Sequence, residues 1–213
     1  MTNKIEVKNH KSNKFYNMIN NGLLLFYLTH YLKRIGVEII PYYWEREYVM
    51  PCDSPQIKGN SLEYSIKTFG VEELKIIYPN RFKENYEKFK KGHLWIGVMH
   101  NDEIAVHSQV ELHGLLIERE KYIKFEENEA YLMGMYTMKQ YRGRNLAPYL
   151  RYHIYKILKE KGRYNIYSIT DYFNQSSLKF KKKLNSEHIK LHLYINLFKK
   201  YRWNIILKKY DYK

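Results

Sequence analysis

The feature that most constrains this chain is an apolar strand that runs directly into a basic, glycine-containing loop and then into a helix. Residues 130–138 have the composition of a strand, with Gly134 in the interior. A glycine inside a strand indicates a bulge or a close backbone approach. Residues 139–148 form the loop, and a helix is expected to follow as far as Lys161, where Gly162 ends it. Because a helix N-terminus presents unpaired N–H groups and a positive dipole end, this junction can bind a phosphate.

The side chains of the loop fit the same interpretation. Arg142 and Arg144 add positive charge, Gly143 and Ala147 leave room for a close approach, and Asn145 tolerates a left-handed backbone. The loop is neither a Walker loop, since no Gly-Lys-Ser/Thr follows, nor a dinucleotide fingerprint. The residues alone leave two interpretations open: a phosphate-binding turn and an ordinary helix cap.

The remaining pattern predicts a mixed sheet with helices on its faces. An amphipathic helix is expected over residues 14–35, ended by Gly36, and a strand over 37–50 that Pro41 makes an edge or bent strand. A helix over 72–91 is interrupted near Pro79. The later elements are a hairpin of strands 94–100 and 104–110, a loop over 118–129, a strand over 164–170, a helix over 174–184 and a closing hairpin of strands 188–197 and 203–209.

Charge and cysteine content bound the partners and the compartment. The 213 residues include 37 Lys and Arg against 22 Asp and Glu, a formal charge of +15, so nucleic acid, an acidic membrane and a phosphorylated small molecule all remain open as partners. One cysteine, Cys52, excludes an intrachain disulfide and fits a reducing interior. The most apolar stretch, residues 22–28, is too short to span a bilayer, and we expect a cytoplasmic protein. Peripheral membrane contact through the first helix is an alternative.

The histidines do not predict a metal site. Those at positions 93, 100, 107 and 113 lack zinc-site spacing. His188 and His192 lie on an expected strand, where four residues separate them by about 13 Å. Lys181, in the predicted helix 174–184, is interpreted as a solvated lysine.

Residues 141–147, Tyr-Arg-Gly-Arg-Asn-Leu-Ala, resemble the pyrophosphate loop of the GNAT superfamily of acyl-CoA-dependent N-acyltransferases. The family pattern is Gln or Arg, two residues, Gly, one residue, then Gly or Ala. Arg142 takes the first position and Ala147 the last, whereas Asn145 replaces the usual Gly and its side chain could crowd the pyrophosphate.

A second segment, residues 174–185, is similar to the family's segment after its fifth strand. Asn174 and Ser177 fit the Asn and the small residue three positions later, Lys183 and Leu184 fit the ending, and Asn185 again stands for Gly. The resemblance covers roughly residues 94–209. It implies one GNAT-like domain over 1–213, of α/β (α+β) class. Residues 93–213 form the acetyl-CoA-binding core and residues 1–92 the first part of the fold, with an extra N-terminal helix. The sheet is expected to be mixed and mostly antiparallel.

The resemblance also implies the chemistry: an amine attacks the thioester of acetyl-CoA, the co-substrate, through a tetrahedral oxyanion. Backbone groups of Met135, Tyr136 and Thr137 would hold the pantetheine arm and the thioester oxygen. The residues expected to bind the coenzyme are Met135, Tyr136, Thr137, Arg142, Gly143, Arg144, Asn145, Leu146, Ala147, Pro148, Asn174 and Ser177.

A base must remove a proton from the acceptor amine, because a lysine-like amine with a pKa of about 10.4 is protonated at neutral pH. Glu129 is the first choice, with Glu111, His107 and His113 as alternatives, and His107, Glu111 and Tyr131 are expected to face the acceptor. Many relatives have a Tyr that acts as the general acid at the position where this chain has Lys181. The candidates left to protonate the thiolate are Tyr172, Ser177 and water, and Tyr172 is our first choice.

The acceptor is the least constrained part of the prediction. The segments at 137–148 and 174–184 resemble relatives that acetylate amino-sugar nucleotides for surface polysaccharides, and a second diphosphate fits the charge of +15. Peptide, protein and polyamine-like amines are alternatives. A rival of another class is a catalytically silent module that uses its basic face on nucleic acid or an anionic membrane. The oligomeric state is not predicted.

Overall fold

An eight-stranded sheet organises the chain. A computed structural model describes residues 23–48, 52–116 and 122–211, with only the backbone given at 23–27, 30, 115, 116 and 122. The strands are β1 Val37–Glu47, β2 Tyr64–Thr68, β3 Leu94–His100, β4 Glu103–Glu111, β5 Gly114–Leu116, β6 Tyr122–Lys124, β7 Glu129–Thr137, β8 Asn165–Asp171, β9 Glu187–Leu197 and β10 Tyr201–Lys209. The helices are α1 Leu23–Arg34, α2 Val71–Ile77, α3 Phe82–Lys90, α4 Leu146–Glu160 and α5 Gln175–Lys183.

The sheet order is β10-β9-β1-β8-β7-β4-β3-β2, with β5 and β6 as a separate hairpin. All neighbours in the large sheet are antiparallel except β7 and β8. These two parallel strands pair only over residues 129–132 and 165–168 and then diverge. Gly134, at φ +62°, lies in a bulge, because β4 pairs with Met133 and then with Tyr136 across a register shift. The divergence leaves a gap between the carboxyl ends of β7 and β8.

Two layers of helices cover opposite faces of the sheet. On one face, the apolar side of α4 packs on β4 and β7 through Leu150 and Ile154, which are fully buried. On the other face, α2 and α3 cover Trp95, with Leu74 of α2 buried against it. Trp95 and Ile96 belong to different clusters because successive side chains of a strand point to opposite faces. No helix among the described residues is both long and apolar enough to cross a membrane.

The structure confirms the predicted fold class and most element boundaries within the described residues. The helical part before Leu23 lies outside them, and Gly36, at φ +83°, follows α1 as expected. The sequence missed the short edge strand β2 and the β5–β6 hairpin. Both are too short to show a clear period-two pattern.

Pro41 was predicted to make β1 an edge or a bent strand, and the edge alternative is wrong. β1 lies inside the sheet, between β9 and β8. The carbonyl oxygen of Pro41 accepts a hydrogen bond from the N–H of Tyr172, one residue beyond the end of β8. A residue's N and C=O point to the same side of a strand, so the missing N–H of Pro41 faces past the end of β8 and removes no bond from that ladder.

A buried charge cluster joins β1, β8, α4 and α5, and it corrects the prediction that Lys181 is solvated. Lys181 is only 3% exposed. Its Nζ donates to Glu45 Oε2 at 2.6 Å, to Ser168 Oγ at 2.6 Å and to Thr170 Oγ1. Glu47 Oε1 lies 3.3 Å from the same Nζ. The prediction that Lys181 lies in a helix is confirmed, but this residue is on the face of the helix that packs against the sheet.

The carboxylates of the cluster are held in their charged form. Burial alone would raise the pKa of Glu47, but the charges of Arg151 and Lys181 and hydrogen bonds from side chains, including the Tyr155 hydroxyl, outweigh burial and lower it to about 2. Burial likewise opposes ionisation of Glu45, yet a hydrogen bond from His188 and the Lys181 charge lower its pKa. The cluster therefore carries two carboxylates and two fixed cations away from water.

We expect Lys181→Met to destabilise the fold by about 3–5 kcal/mol, because removing one partner leaves buried carboxylates without compensation. Urea denaturation measures the free energy of unfolding. The matched control is Lys183→Met, which removes an exposed lysine of the same helix and should change stability by less than about 0.5 kcal/mol. Equal effects of the two variants would contradict the structural role of Lys181.

The same cluster predicts acid lability. A carboxylate with a lowered folded-state pKa contributes stability that is present above its unfolded pKa of about 4.3 and is lost as pH falls toward the folded value. For Glu47 that window runs from about 4.3 down to about 2. As pH falls through this range, the free energy of unfolding of Glu47→Gln should therefore decrease less steeply than that of the wild-type protein. The two slopes against pH should differ by an amount equivalent to the uptake of up to one proton on unfolding. Identical slopes would exclude Glu47 as a source of the pH dependence.

Candidate active site

A cleft of about 530 Å³ opens where β7 and β8 diverge. Its walls come from the carboxyl end of β7, the junction that opens α4, the first turns of α5 and one residue of the loop before β2. The lining residues are Lys58, Met135, Tyr136, Thr137, Tyr141, Arg142, Gly143, Asn145, Leu146, Ala147, Pro148, Ser176, Ser177 and Phe180. The cleft brings together ten of the twelve residues that the sequence predicted for coenzyme binding. Arg144 and Asn174 are absent from the lining.

The junction before α4 has the backbone of an anion-binding turn. Gly143 and Asn145 both have left-handed backbones, at φ +81° and +64°, and α4 begins at the next residue, Leu146. Asn145 takes the N-cap position without capping the helix through its side chain. The first N–H groups of α4 thus keep no side-chain acceptor and face a cleft lined by Leu146 and Ala147.

Gly143 leaves open space where a side chain would stand. A Cβ atom built there has no heavy atom within 4 Å. Glycine is required by the positive φ, and the same position leaves the cleft free for a group that approaches the backbone. The structure thus leaves room for the close approach that the sequence predicted.

The two arginines of the loop have different surroundings. Arg142 lines the cleft, with its Nε donating to the carbonyl oxygen of Thr137 at 3.2 Å. Arg144 instead donates to the Tyr64 hydroxyl at 2.7 Å, and its guanidinium lies 5.3 Å from the Tyr141 ring centroid. The predicted role of the Arg144 side chain in the cleft is therefore not supported by its placement.

The α5 side of the cleft is built by the second sequence match. Asn174 caps α5, because its side chain accepts from the N–H of Ser177 at 3.2 Å. Ser176 and Ser177 then line the cleft, with Phe180 one turn later. Asn174 thus positions the turn and does not line the cleft. Ser176 could have been predicted from the sequence, because it is the neighbour of Ser177. Lys58 could not, because it reaches the cleft from a loop that is distant in sequence.

The three residues predicted to face the acceptor share the other face of the sheet. Glu111 and Tyr131 are register partners on β4 and β7, and His107 pairs with Tyr136 near the bulge. The Tyr131 ring stacks on Trp44 and Phe125, with centroids 5.8 Å apart in both pairs. The structure thus places an aromatic group beside the last residues at which β7 and β8 still pair.

His107 and Glu111 differ in what they can do. Burial lowers the pKa of His107 to about 4, so the imidazole is neutral at pH 7, and no hydrogen bond to its Nδ1 is found among the described residues. Glu111 has both oxygens engaged, by the His93 ring at 2.6 Å and by the N–H groups of His113 and Gly114. Burial opposes ionisation of Glu111, but these donors lower its pKa and occupy both of its oxygens.

The two residues chosen first as catalytic groups lie outside the cleft. Glu129 is the first residue of β7, about 20 Å of strand from Met135, and its Oε2 accepts from the N–H of Glu126. Tyr172 follows β8 and stacks on Tyr43 at 5.5 Å. Neither side chain is among those that line the cleft. No group of three or more potential metal ligands is found within residues 23–48, 52–116 and 122–211.

Comparison with known proteins identifies the architecture. The family model described as Acetyltransferase (GNAT) family matches residues 63–185. No curated protein sequence matches the chain significantly.

Several solved structures share the fold at low sequence identity. An acetyltransferase from the GNAT family of Colwellia psychrerythraea has a TM-score of 0.55 at 11% identity, over 77% of this chain and 59% of its own. A GNAT-family protein from Novosphingobium aromaticivorans has 0.51 at 17%, over 76% and 66%. A GCN5-related N-acetyltransferase-like protein from Streptococcus suis has 0.51 at 14%, over 76% and 63%. The chain thus spans 59–66% of the length of these proteins.

The different placements of the two loop arginines predict different effects on binding. Arg142→Ala should weaken coenzyme A binding about ten-fold or more, because it removes a charge from the cleft wall. Arg144→Ala should change it less than about three-fold, since that side chain is bonded to Tyr64 instead. Isothermal titration calorimetry with coenzyme A measures both. A larger loss for Arg144→Ala would contradict the described orientation of the loop.

Proposed function

Because the chain belongs to the GNAT acetyltransferase family, we propose that it transfers the acetyl group of acetyl-CoA to a primary amine. The observation that carries this proposal is the cleft at the start of α4. There, two left-handed turn residues, uncapped helix N–H groups and the Arg142 guanidinium surround open space. A diphosphate is the anion that such a turn accommodates.

The end of β7 can hold the rest of the coenzyme. Residues 133–137 have no β8 partner. The carbonyl oxygens of Met133 and Thr137 accept from Ser108 and Arg142. This leaves the backbone between them, at Met135 and Tyr136, as the part that can bind a ligand on that side of the strand. Met135, Tyr136 and Thr137 line the cleft there. We propose that they bind the amide-containing arm of the coenzyme and donate a backbone N–H to the thioester oxygen. One such donor contributes a few kcal/mol to transition-state stabilisation.

We propose His107, rather than Glu129, as the group that takes the proton of the acceptor amine. Its imidazole is neutral, buried and next to the bulge that aims β7 into the cleft. The carboxylate of Glu111 is fully engaged with three donors and anchors the end of β4.

Among the hydroxyl-bearing residues of the cleft, we propose Ser177 as the group that protonates the departing thiolate. Ser177 lines the cleft and can donate to it, with water as the alternative. Lys181 is not a donor, because its three protons are used by Glu45, Ser168 and Thr170.

For the acceptor we propose an amino-sugar nucleotide. The half-buried ring of Trp44, backed by the stacked and buried ring of Tyr131, lies on the face opposite α4 and suits a sugar or a base ring. The net charge of +15 favours an anionic acceptor over a polyamine. A screen of amino-sugar nucleotides, peptides and polyamines, read out as thiol release from acetyl-CoA, tests this choice. Turnover confined to polyamines would contradict it.

The His107 role makes a kinetic prediction. His107→Gln should lower kcat about 100-fold with acetyl-CoA KM unchanged within about three-fold, because general-base catalysis contributes at least that much. The defect should shrink as pH approaches the amine pKa of about 10, where the acceptor no longer needs a base. Thiol release measured from pH 7 to 10 gives both quantities.

Glu129→Gln is the matched control and should keep wild-type kcat within about two-fold. A defect of His107→Gln that stays constant with pH would point to a structural role. Absence of saturable acetyl-CoA binding to the wild-type protein would overturn the proposed activity altogether.

A further inference from the structure

The loop over residues 52–60 closes one side of the cleft, although it lies before the matched family region, which begins at residue 63. Two hydrogen bonds tie it to the turn before α4. The N–H of Lys58 donates to the carbonyl oxygen of Arg144 at 3.0 Å, and Asn145 Nδ2 donates to the carbonyl oxygen of Gln56 at 2.7 Å. Cys52 and Ile57 of the same loop pack against the core that α4 shares with the sheet. The loop is therefore fixed from both sides.

Lys58 is the residue that this loop brings into the cleft. It is exposed and lines the cleft together with Arg142 and Gly143. No ion pair to Lys58 is found among the described residues. Arg144, the second cation expected from the loop sequence, is bound to Tyr64 outside the cleft. Lys58 thus restores a second positive charge beside the turn.

The tether also accounts for Asn145, where the family pattern has glycine. Asparagine tolerates the left-handed backbone that the turn requires. Its amide points away from the helix N-terminus toward Gln56 and does not crowd the cleft. Glycine would keep the backbone conformation but would lose the link to the loop.

We propose that residues 52–60 form a third wall of the coenzyme site, with Lys58 pairing with the diphosphate and the Asn145 side chain holding the loop in place. This inference rests on the proposed function, since it assigns the coenzyme to the cleft. It adds a binding residue and a tether from a segment outside the family pattern. The diphosphate is favoured over the coenzyme's other phosphate because Lys58 shares the cleft with the turn that accepts it.

Calorimetric titration of the full chain with acetyl-CoA tests the pairing. Lys58→Ala should weaken binding about 5- to 30-fold and reduce its salt dependence, whereas Lys58→Arg should retain most of the affinity. Lys83→Ala, which removes an exposed lysine of α3, is the control for the change in net charge and should bind within about two-fold of wild type. An effect of Lys58→Ala no larger than that of Lys83→Ala would overturn the inference and leave the proposed function standing.

A second variant tests whether the Asn145 side chain holds the loop in place. Its expected effect is opposite to what the family pattern alone would suggest. Asn145→Gly restores the usual family residue, yet it should weaken acetyl-CoA binding about three-fold or more because the loop loses its link. Thermal unfolding without ligand confirms that the variant is folded. Binding equal to or tighter than that of wild type would refute the tether.

Two further measurements show which phosphate of the coenzyme Lys58 binds and whether the proposed function itself fails. The loss caused by Lys58→Ala should be the same for coenzyme A and for 3′-dephospho-coenzyme A. A loss that disappears with the dephospho compound would overturn the assignment to the diphosphate. Failure of the wild-type protein to bind acetyl-CoA would remove the proposed function and this inference together.

Discussion

The early divergence of β7 and β8 is the constraint on which the rest of the structure depends. Parallel strands in a sheet normally stay in register, yet these two pair over only four residues. On the β7 side, the bulge at Gly134 bends the strand away. On the β8 side, Ser168 and Thr170 are bonded to Lys181 and so are held toward β1 and α5. The gap between the strands is stabilised from both sides, and the cleft opens there.

The buried charge cluster and the cleft are thus parts of one arrangement. Lys181 of α5 bonds to Glu45 of β1, which fixes α5 against the sheet. The first turn of the same helix presents Ser177 to the cleft. A buried ion pair is weak evidence for net stability, but it specifies one packing of α5, since a shifted helix would leave charges without partners. The resemblance implied a general acid at position 181, whereas the structure gives Lys181 a packing role.

The proposed function uses both faces of the sheet. The face that carries α4 and α5 has the backbone N–H groups and cations that we assign to the anionic coenzyme. The opposite face carries His107, Tyr131 and Trp44, which we assign to a ring-containing acceptor and its proton. In the proposed function, the coenzyme and the acceptor meet at the gap where β7 and β8 no longer pair. Residues 52–60 extend the first face with a segment that the family pattern does not include.

The sequence by itself determined the strand-turn-helix junction, the bulge at Gly134 and the mixed sheet, because each depends on backbone preferences and periodicity within a short segment. It could not determine which side chains of those segments meet. Arg144 donates to Tyr64, and Lys181 donates to Glu45 inside the fold. Lys58 contacts the turn from a loop that precedes it by more than eighty residues. Glu129 and Tyr172 have suitable chemistry but lie away from the cleft. Only tertiary structure decided these outcomes, since contacts between distant residues depend on strand order and helix packing, which local patterns do not encode.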